Sequence, residues 1–327
     1  MTDRRRFLAA GCALAALPLP AAPQEYPSRP VRVVNPYAPG GSSDPALRPV
    51  TTRLQQLYGQ NFLIENRGGA GTNIGNEVVA RAKPDGHTLL MGTSSLAINP
   101  TLYRSLSYDP VRDLQPITLL TNIPNALAVN ASLPVRTVAE LIRYAREQPG
   151  RLNYGSSGVG GTNHLGMELL KSQAGIDIVH VPYKGGGPAL IGLLGNEVQV
   201  MLSPITAFLQ HEQSGRLRLL GVASPRRVAG VDAPTVAEAA GLPGYESGVW
   251  MAVFAPAGTP RSIVDRLAVD VDRLLRQPDL IAEYERVFFV PGGGSPEDLA
   301  RLLREDTDRL GRLIRALGLA GSEGARG

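Results

Sequence analysis

Four short glycine-rich loops are the segments of this 327-residue sequence best suited to bind a small ligand. They span residues 39–45, 67–73, 155–163 and 183–188, and each follows a strand-like run and precedes a helix start. Glycine lets a ligand come close to the backbone, and the free N–H groups and dipole at a helix N-terminus attract anions. One such loop alone is better explained as an ordinary turn. Four of them, with Thr93-Ser94-Ser95 as a further neutral candidate, favour a small-anion site.

A lysine and two histidines in or beside the third and fourth loops are candidates for a role in binding. Lys184 is a cation in the fourth loop, where it either balances an anionic ligand or is a solvated turn residue. His164 follows the third loop, and it either lines a cleft or lies on the surface at a helix start. His180 lies in an apolar strand, which favours a structural role.

Motifs for cofactor and metal chemistry are incomplete or missing. Residues 69–75 read G-x-G-x-x-x-G, one residue longer than the dinucleotide-binding fingerprint. The sequence has no G-x-x-x-x-G-K-[ST] and no G-x-S-x-G, and no two histidines have H-x-x-x-H spacing. Cys12 is the only cysteine and lies near the N-terminus. We therefore predict no cofactor, no metal ion and no catalytic residue.

The charge and composition argue against a nucleic-acid partner. The net charge is +4, and Arg4, Arg5 and Arg6 beside Asp3 contribute +2 of it (3 − 1). With 5% aromatic residues, the nearly neutral remainder offers neither a basic patch nor a stacking platform for bases. A hydrophobic content of 43% with 19% charged residues also excludes a disordered chain.

The first 22 residues have the features of an export signal: a basic start, an apolar stretch and then small residues. Arg4-Arg5-Arg6-Phe7-Leu8 resembles the twin-arginine signal, and an ordinary secretory signal is the alternative. Cys12 faintly resembles a lipoprotein attachment site, although the apolar run before it is short. We place cleavage near Ala22 and expect a periplasmic protein without a thiol. No later stretch approaches the ~18 apolar residues of a membrane span.

The loops are positioned by strands that alternate with helices. This alternation predicts an α/β fold with parallel or mixed sheets, and the length favours two domains. Helix starts are marked by capping boxes at residues 137–140 and 235–238, by Ser295-Pro296, and by Asp44 as an N-cap before Pro45. The predicted strands are residues 31–35, 62–66, 88–92, 125–130, 151–155, 179–183, 198–202, 217–223 and 249–255.

Several motifs occur in one order along residues 26–317. They include Tyr26-Pro27-Ser28-Arg29-Pro30, Pro39-Gly40-Gly41 with Asp44, Glu65-Asn66-Arg67, Pro84-Asp85-Gly86, Asn153-Tyr154-Gly155-Ser156, Val181-Pro182-Tyr183-Lys184-Gly185 and Ala255-Pro256-Ala257-Gly258-Thr259-Pro260. In this order they resemble the Bug family, the TctC-type periplasmic receptors of tripartite tricarboxylate transporters. The chain departs from the family pattern at Gly192 and Gln199, where acidic residues are common, and at His87, where tyrosine is usual.

The resemblance implies a two-lobed periplasmic-binding-protein (flytrap, type II-like) fold, with a mixed sheet in each lobe, a ligand cleft between them and no catalytic activity. Residues 25–122 and 249–327 would form one lobe, and residues 123–248 the other. The expected ligand is a small carboxylate or related metabolite. The expected partners are the membrane permease subunits of the transporter or a sensor, and the receptor is expected to be a monomer. The alternative is an exported α/β enzyme acting on a nucleotide or a phosphorylated small molecule.

The resemblance also assigns ligand-binding residues to both lobes. From the first lobe these are Ala38, Gly40, Gly41, Ser42, Asp44, Gly69, Ala70, Gly71, Thr72, Asn73, Ser94 and Ser95. From the second lobe they are Ser156, Ser157, Gly158, Gly160, Gly161, Thr162, His164, Tyr183, Lys184 and Gly185.

Overall fold

Ten strands and eleven helices alternate along the part of the chain that the computed structural model describes, residues 26–39 and 43–322. The strands are β1 (Val31–Asn35), β2 (Phe62–Asn66), β3 (Thr88–Thr93), β4 (Leu114–Asn130), β5 (Asn153–Ser156), β6 (Val179–Pro182), β7 (Val200–Pro204), β8 (Leu217–Val222), β9 (Gly248–Pro256) and β10 (Val290–Gly293). The helices are α1 (Ser43–Tyr58), α2 (Asn73–Ala80), α3 (Ser95–Leu102), α4 (Val138–Glu147), α5 (Thr162–Ala174), α6 (Gly186–Leu194), α7 (Leu209–Gln213), α8 (Val236–Ala240), α9 (Arg261–Leu275), α10 (Pro278–Glu285) and α11 (Pro296–Ala316).

The strands form two mixed sheets that share β4. In the first sheet β1 pairs in parallel with β2 and β3, while β9 runs antiparallel between β3 and β4, and β10 also pairs with β4. In the second sheet β5 pairs in parallel with β6 and β7, and both β7 and β8 run antiparallel to β4. The predicted α/β class with mixed sheets is confirmed.

Strand β4 changes partners in its middle. Up to Pro124 it pairs with β9, which begins opposite it at Gly248. From Asn125 onward it pairs with β7, and from Ala126 with β8. The Asn125 N–H donates to the Ser247 carbonyl at 2.9 Å, and the Asn125 side chain donates to Ser247 Oγ at 2.9 Å. The chain therefore crosses between the sheets twice at one place, with every step of the crossing hydrogen-bonded.

A separate hydrophobic core lies on each side of this crossing. The first core contains Val33 and Leu267. We call the elements around it the first lobe: strands β1–β3, β9 and β10 with helices α1–α3 and α9–α11. The second core contains Tyr154 and Leu170. We call the elements around it the second lobe: strands β5–β8 with helices α4–α8. The predicted two-lobed architecture is confirmed.

The structure differs from the predicted elements at three points. Strand β4 begins at Leu114, well before the predicted start at Asn125. The first half was not predicted because prolines are rare inside strands, and this half contains Pro116 and Pro124. The pairing with β9 accommodates Pro116 through a shift in register beside it. Strand β10 was not predicted, since its sequence VPGG reads as a turn. Helix α1 begins at Ser43, so Asp44 lies in the first turn and is not the N-cap.

Helix α11 belongs to the first lobe but also touches the second. It starts at the predicted position, where Ser295 and Asp298 form a reciprocal capping box. Its residue Ile314 shares a buried apolar cluster with Leu102 of α3 and Leu165 of α5. The two lobes are therefore in van der Waals contact beside the end of β3.

The middle of α5 lies close to the crossing because residue 166 is a glycine. A Cβ atom at Gly166 would lie 2.5 Å from Leu202 Cδ2 and 2.8 Å from Ser247 Cβ, which is closer than side chains pack. The Gly166 carbonyl also accepts a hydrogen bond from the Tyr245 hydroxyl at 3.1 Å. The glycine therefore lets α5 approach both β7 and the crossing.

We expect Gly166→Ala to lower the free energy of unfolding by at least ~1 kcal/mol, because overpacking costs about 1–3 kcal/mol and exceeds the gain in helix propensity. Gly187→Ala in α6 is a matched control, since an added Cβ there has nothing within 4 Å. It should leave the stability unchanged or slightly raised. Denaturant unfolding checks both variants, and equal stabilities would contradict the close approach of α5.

Candidate functional site

A cleft of about 620 Å³ lies between the lobes, where β3 and β5 end. Both lobes contribute to it, and none of the lining side chains in the described part of the chain is charged. The residues that line it are Tyr37, Gly71, Thr72, Ser94, Ser95, Ile98, Asn99, Leu102, Tyr103, Ser157, Gly158, Val159, Gly160, Gly161, Thr162 and Val249.

A row of hydroxyl groups crosses the first-lobe side of the cleft. The Tyr37 hydroxyl lies 3.1 Å from Thr93 Oγ1, which lies 2.9 Å from Ser95 Oγ. Ser95 Oγ in turn lies 2.7 Å from Thr72 Oγ1. Each hydroxyl both donates and accepts, so the row can present either a proton or a lone pair to a ligand. Burial raises the pKa of Tyr37, so its hydroxyl stays protonated.

Thr72 is held in a backbone conformation that β-branched residues rarely adopt. Its φ is 82°, in the left-handed region, and Ala70 two residues earlier has φ 46°. Strain of this kind costs roughly 1–3 kcal/mol and persists only where surrounding contacts impose it. Here the Asn76 side-chain amide donates to Thr72 Oγ1 at 3.1 Å. The strain places the Thr72 hydroxyl against Ser95 at the cleft.

Buried amides and one phenol hold the turn that carries Thr72. The Asn99 side chain donates to the Gly71 carbonyl at 2.9 Å and to Asn73 Oδ1 at 2.8 Å. Asn73 Oδ1 also accepts the Tyr108 hydroxyl at 2.9 Å. Burial raises the pKa of Tyr108 to about 12, so this donor remains protonated. The first-lobe side is thus ordered before any ligand arrives.

Among the described residues that line the cleft, only Ser94 has a buried hydroxyl without a hydrogen-bond partner. The residue is 3% exposed, and its N–H donates to the Trp250 carbonyl at 3.2 Å. Ser94 lines both the cleft and a smaller cavity of about 30 Å³, and its buried Oγ has no partner among the described residues. An unpaired buried hydroxyl costs about 1–3 kcal/mol. The Ser94 hydroxyl therefore has unused hydrogen-bonding capacity at a residue that lines the cleft.

The second-lobe side is the glycine loop between β5 and α5. Gly158 and Gly160 have φ values of 137° and 78°, which side chains other than glycine rarely tolerate. A Cβ at Gly160 would lie 2.5 Å from Leu102 Cδ2, so the glycine also allows the loop to contact α3 of the first lobe. Ser157 Oγ donates to Asn163 Oδ1 at 3.0 Å. The loop ends at Thr162, the first residue of α5.

Two stacked histidines contact this glycine loop and the end of β5. The His164 and His180 ring centroids are 4.1 Å apart, and the Tyr154 ring stacks on His180 at 4.8 Å. His164 Nδ1 accepts the Gly160 N–H at 3.1 Å, and His180 Nε2 lies 2.6 Å from Ser156 Oγ. The His164 contact needs an unprotonated Nδ1, since that nitrogen accepts the hydrogen bond. The pair therefore sets the shape of the glycine loop.

Burial lowers the pKa of both histidines. For His180, burial followed by repulsion from His164 lowers the pKa from 6.5 to about 4. For His164, burial is again the main cause, partly opposed by the carboxylate of Glu168. Lys171 lowers both pKa values further, while its ammonium pairs with Glu168 at 2.7 Å. At neutral pH both rings are uncharged, as the hydrogen bond that His164 Nδ1 accepts from Gly160 requires.

Nine of the predicted ligand-binding residues line the cleft, and each remains a prediction as a ligand contact. They are Gly71, Thr72, Ser94, Ser95, Ser157, Gly158, Gly160, Gly161 and Thr162. A second group lies outside the lining: Ala38, Asp44, Gly69, Ala70, Asn73, Ser156, His164, Tyr183, Lys184 and Gly185. The predicted residues Gly40, Gly41 and Ser42 lie outside the described residues.

Several residues of the second group hold the site together. The surface interpretation of His164 is wrong, because the residue is 5% exposed and its ring binds the loop. The Tyr183 hydroxyl donates to Glu197 at 3.0 Å, and Gly192 leaves the space that its ring occupies. The Gly185 N–H donates to the Ser157 carbonyl at 3.1 Å, so the fourth loop braces the third. Lys184 is exposed, as the solvated alternative predicts.

Sequence reasoning missed the cleft residues that are not in glycine loops. They are Tyr37, Ile98, Asn99, Leu102, Tyr103 and Val249; Val159 lies in the third glycine loop but was not among the predicted ligand-binding residues. A signal was available for some of them. Helix α3 starts directly after Ser94 at the strand end, so its next turn, with Ile98 and Leu102 four residues apart, lies on the same side. Val249 begins the expected first-lobe segment 249–327, but its place in the cleft lining was not predicted.

Known proteins share this architecture. Residues 46–319 match the family model of the tripartite tricarboxylate transporter family receptor, TctC. The chain belongs to the TctC family. A TctC-family relative from the tcbD–tcbE intergenic region of Pseudomonas sp. (strain P51) is 38% identical over 315 residues, which are 95% of this chain and 94% of the relative. The resemblance deduced from the motifs is thereby confirmed.

Solved structures of this TctC-family receptor's relatives have the same fold. The structure of an R. palustris protein with adipate matches this chain with a TM-score of 0.78 and 38% sequence identity. The match covers 90% of this chain and 99% of the R. palustris chain. The periplasmic binding protein BugD has a TM-score of 0.73 at 30% identity, covering 90% and 99%. MatC from Rhodopseudomonas palustris, with bound malate, has a TM-score of 0.72 at 33% identity, covering 88% and 100%. The periplasmic-binding-protein fold is confirmed.

We expect the receptor to lose stability as the pH falls from 6.5 toward 4. The pKa of His180 is about 4 in the folded protein and 6.5 as an ordinary histidine, so the unfolded state binds more protons in this window. The melting temperature should therefore drop between pH 7 and pH 5. His180→Gln keeps a partner for Ser156 without titrating, and should flatten the slope. His211→Gln, outside the stack, should keep it. An identical slope in His180→Gln would contradict this role of the stack.

Proposed function

We propose that this receptor works in the periplasm, holds the carboxylate of a small organic acid between its lobes, and presents the acid to the permease subunits of a tripartite tricarboxylate transporter or to a sensor. Membership of the TctC family supports this. Adipate and malate, the ligands of two related structures, are both carboxylates. The leader-like residues 1–22 agree with export, by the twin-arginine or the general secretory route.

The unpaired Ser94 hydroxyl carries this proposal. It is a buried donor at the cleft with no partner in the described part of the protein. A carboxylate oxygen is a strong acceptor, and a hydrogen bond to a charged group contributes about 1.5–3 kcal/mol. Ser95 beside it is the first residue of α3, and Thr162 across the cleft is the first residue of α5. Both helix dipoles therefore direct their positive ends to the cleft.

Binding by uncharged donors suits a receptor that must also release its ligand. A lysine or arginine in the cleft would hold the acid by direct ion pairing. Here the donors are hydroxyls and backbone N–H groups, fixed in advance by the contacts of Thr72 and His164. Preorganised donors lose little entropy when the ligand binds. Within the described residues no cluster of His, Cys, Asp and Glu side chains is arranged to hold a metal ion, and we propose no catalytic activity.

The division into lobes explains how the acid enters. We propose that residues 26–122 with 249–322 move as one lobe, and residues 123–248 as the other. The hinge would lie where β4 and β9 cross, at Ile123 and Val249. Two backbone crossings allow rotation about a single axis, and flytrap proteins close in this way. None of the described helices combines the length and apolar character of a membrane crossing.

We expect Ser94→Ala to weaken binding of an identified carboxylate about tenfold or more, because it removes a donor to a charged group. The free protein should be as stable as before or slightly more stable, since the removed hydroxyl has no partner. Titration calorimetry and melting temperatures measure the two effects.

Ser224→Ala is the matched control for Ser94→Ala. Ser224 is also buried, but its hydroxyl donates to the Arg226 carbonyl at 2.5 Å. Its loss should cost ~1 kcal/mol of stability and leave binding unchanged. Lys184→Ala should cost less than fivefold in affinity, because a solvated charge contributes little. If Lys184→Ala abolished binding while Ser94→Ala did not, a lysine-centred site would replace this one.

We also expect the receptor to close on its ligand. Small-angle scattering should give a smaller radius of gyration at saturation with the carboxylate than without it, because hinge rotation brings the lobes together. Binding must be shown to be complete by calorimetry on the same sample. An unchanged radius at proven saturation would count against closure at Ile123 and Val249.

A further inference from the structure

Part of the cleft lining is apolar, which the recognition of a carboxylate does not require. Ile98 and Leu102 line it from α3, Val249 from the crossing, and Val159 from the glycine loop. Ile98 and Leu102 belong to the buried cluster that joins the lobes, so packing between the lobes explains why these residues are apolar. Val159 is not part of that cluster, so this packing does not explain why it is apolar.

Val159 is an exposed valine at the tip of a loop. It is 39% exposed in the free protein and lies between Gly158 and Gly160, whose left-handed backbone angles fix the course of the loop. An apolar side chain at the mouth of a cleft loses contact with water only when something apolar covers it. A ligand made solely of carboxylate and hydroxyl groups would not do so.

The polar groups on the first-lobe side of the cleft are largely gathered in one hydrogen-bonded network, apart from the apolar side chains. Tyr37, Thr93, Ser95 and Thr72 form a continuous row of hydrogen-bonded hydroxyls. The Asn99 side-chain amide already donates twice. A hydroxyl group on the ligand chain that lay against Ile98, Leu102 and Val159 would lack a partner, because these side chains neither donate nor accept hydrogen bonds, and this weakens binding.

We propose that the receptor selects acids whose carbon chain is unsubstituted and aliphatic, and that Val159 determines this specificity. This inference rests on the proposed function, in which the carboxylate is held by the donors around Ser94. The cleft of about 620 Å³ has the size typical of ligands larger than a four-carbon acid. The chain would extend from the carboxylate along Ile98, Leu102 and Val159.

The test is a calorimetric series with succinate, glutarate, adipate and malate on the mature full-length protein. Each added methylene should tighten binding about three- to fourfold, which is the free energy of burying one CH₂ group. Malate differs from succinate by one hydroxyl and should bind more weakly than succinate. Malate binding tighter than succinate, or equal affinity along the series, would overturn the inference while leaving the carboxylate receptor intact. No binding of any of the four acids would contradict both.

The matched variants are Val159→Thr and Val179→Thr. Both replace a methyl group by a hydroxyl on an exposed valine, and Val179 is 43% exposed on β6, outside the cleft. Val159→Thr should weaken adipate about fivefold and leave malate unchanged or tighter, so the ratio of the two affinities falls. Val179→Thr should change neither. Equal effects of Val159→Thr on adipate and malate would show a general disturbance of the loop and overturn the role of Val159.

Discussion

The double use of β4 is the constraint on which the rest of the molecule depends. Every backbone N–H and C=O of a buried strand needs a partner, and β4 obtains these from β9 as far as Pro124 and from β7 and β8 beyond it. The two sheets are thereby joined without a break in hydrogen bonding. The strands that carry the site, β3 and β5, each lie in one sheet and end facing the junction. The cleft is a consequence of this pairing.

The site combines rigid polar groups with a neutral charge balance. Strain at Thr72, buried amides around Asn73 and the histidine stack below Gly160 all fix donors in place at a cost to stability. Such costs are common where a protein keeps a surface ready for a ligand. Charge is kept out of the lining, while Arg309, Asp306 and Glu246 lie behind it, around the smaller cavity beyond Ser94. Arg309 lies 2.7 Å from Asp306 and 3.9 Å from Glu246, so these charges partly neutralise one another.

Local patterns predicted those parts of the fold and site that depend on local chemistry. The second, third and fourth glycine loops, the helix start at Ser295-Pro296 and the α/β alternation are read from residues a few positions apart, and the structure contains them. The full length of β4 was hidden by its prolines, which the paired β9 accommodates. The roles of His164 and Val249 depend on contacts across the lobes or between distant strands. Sequence spacing carries no information on such contacts without the folded chain.

The order of the strands has a consequence for how the chain is made. Strand β9 lies between β3 and β4 in the first sheet, yet it follows all of the second lobe in sequence. The first sheet therefore stays incomplete while residues up to 247 leave the ribosome, whereas the second lobe is one continuous stretch after β4. Domains generally fold as units during synthesis. The lobe that begins the chain is thus the last to be finished, and its unpaired edge on β3 is what a chaperone would have to cover until then.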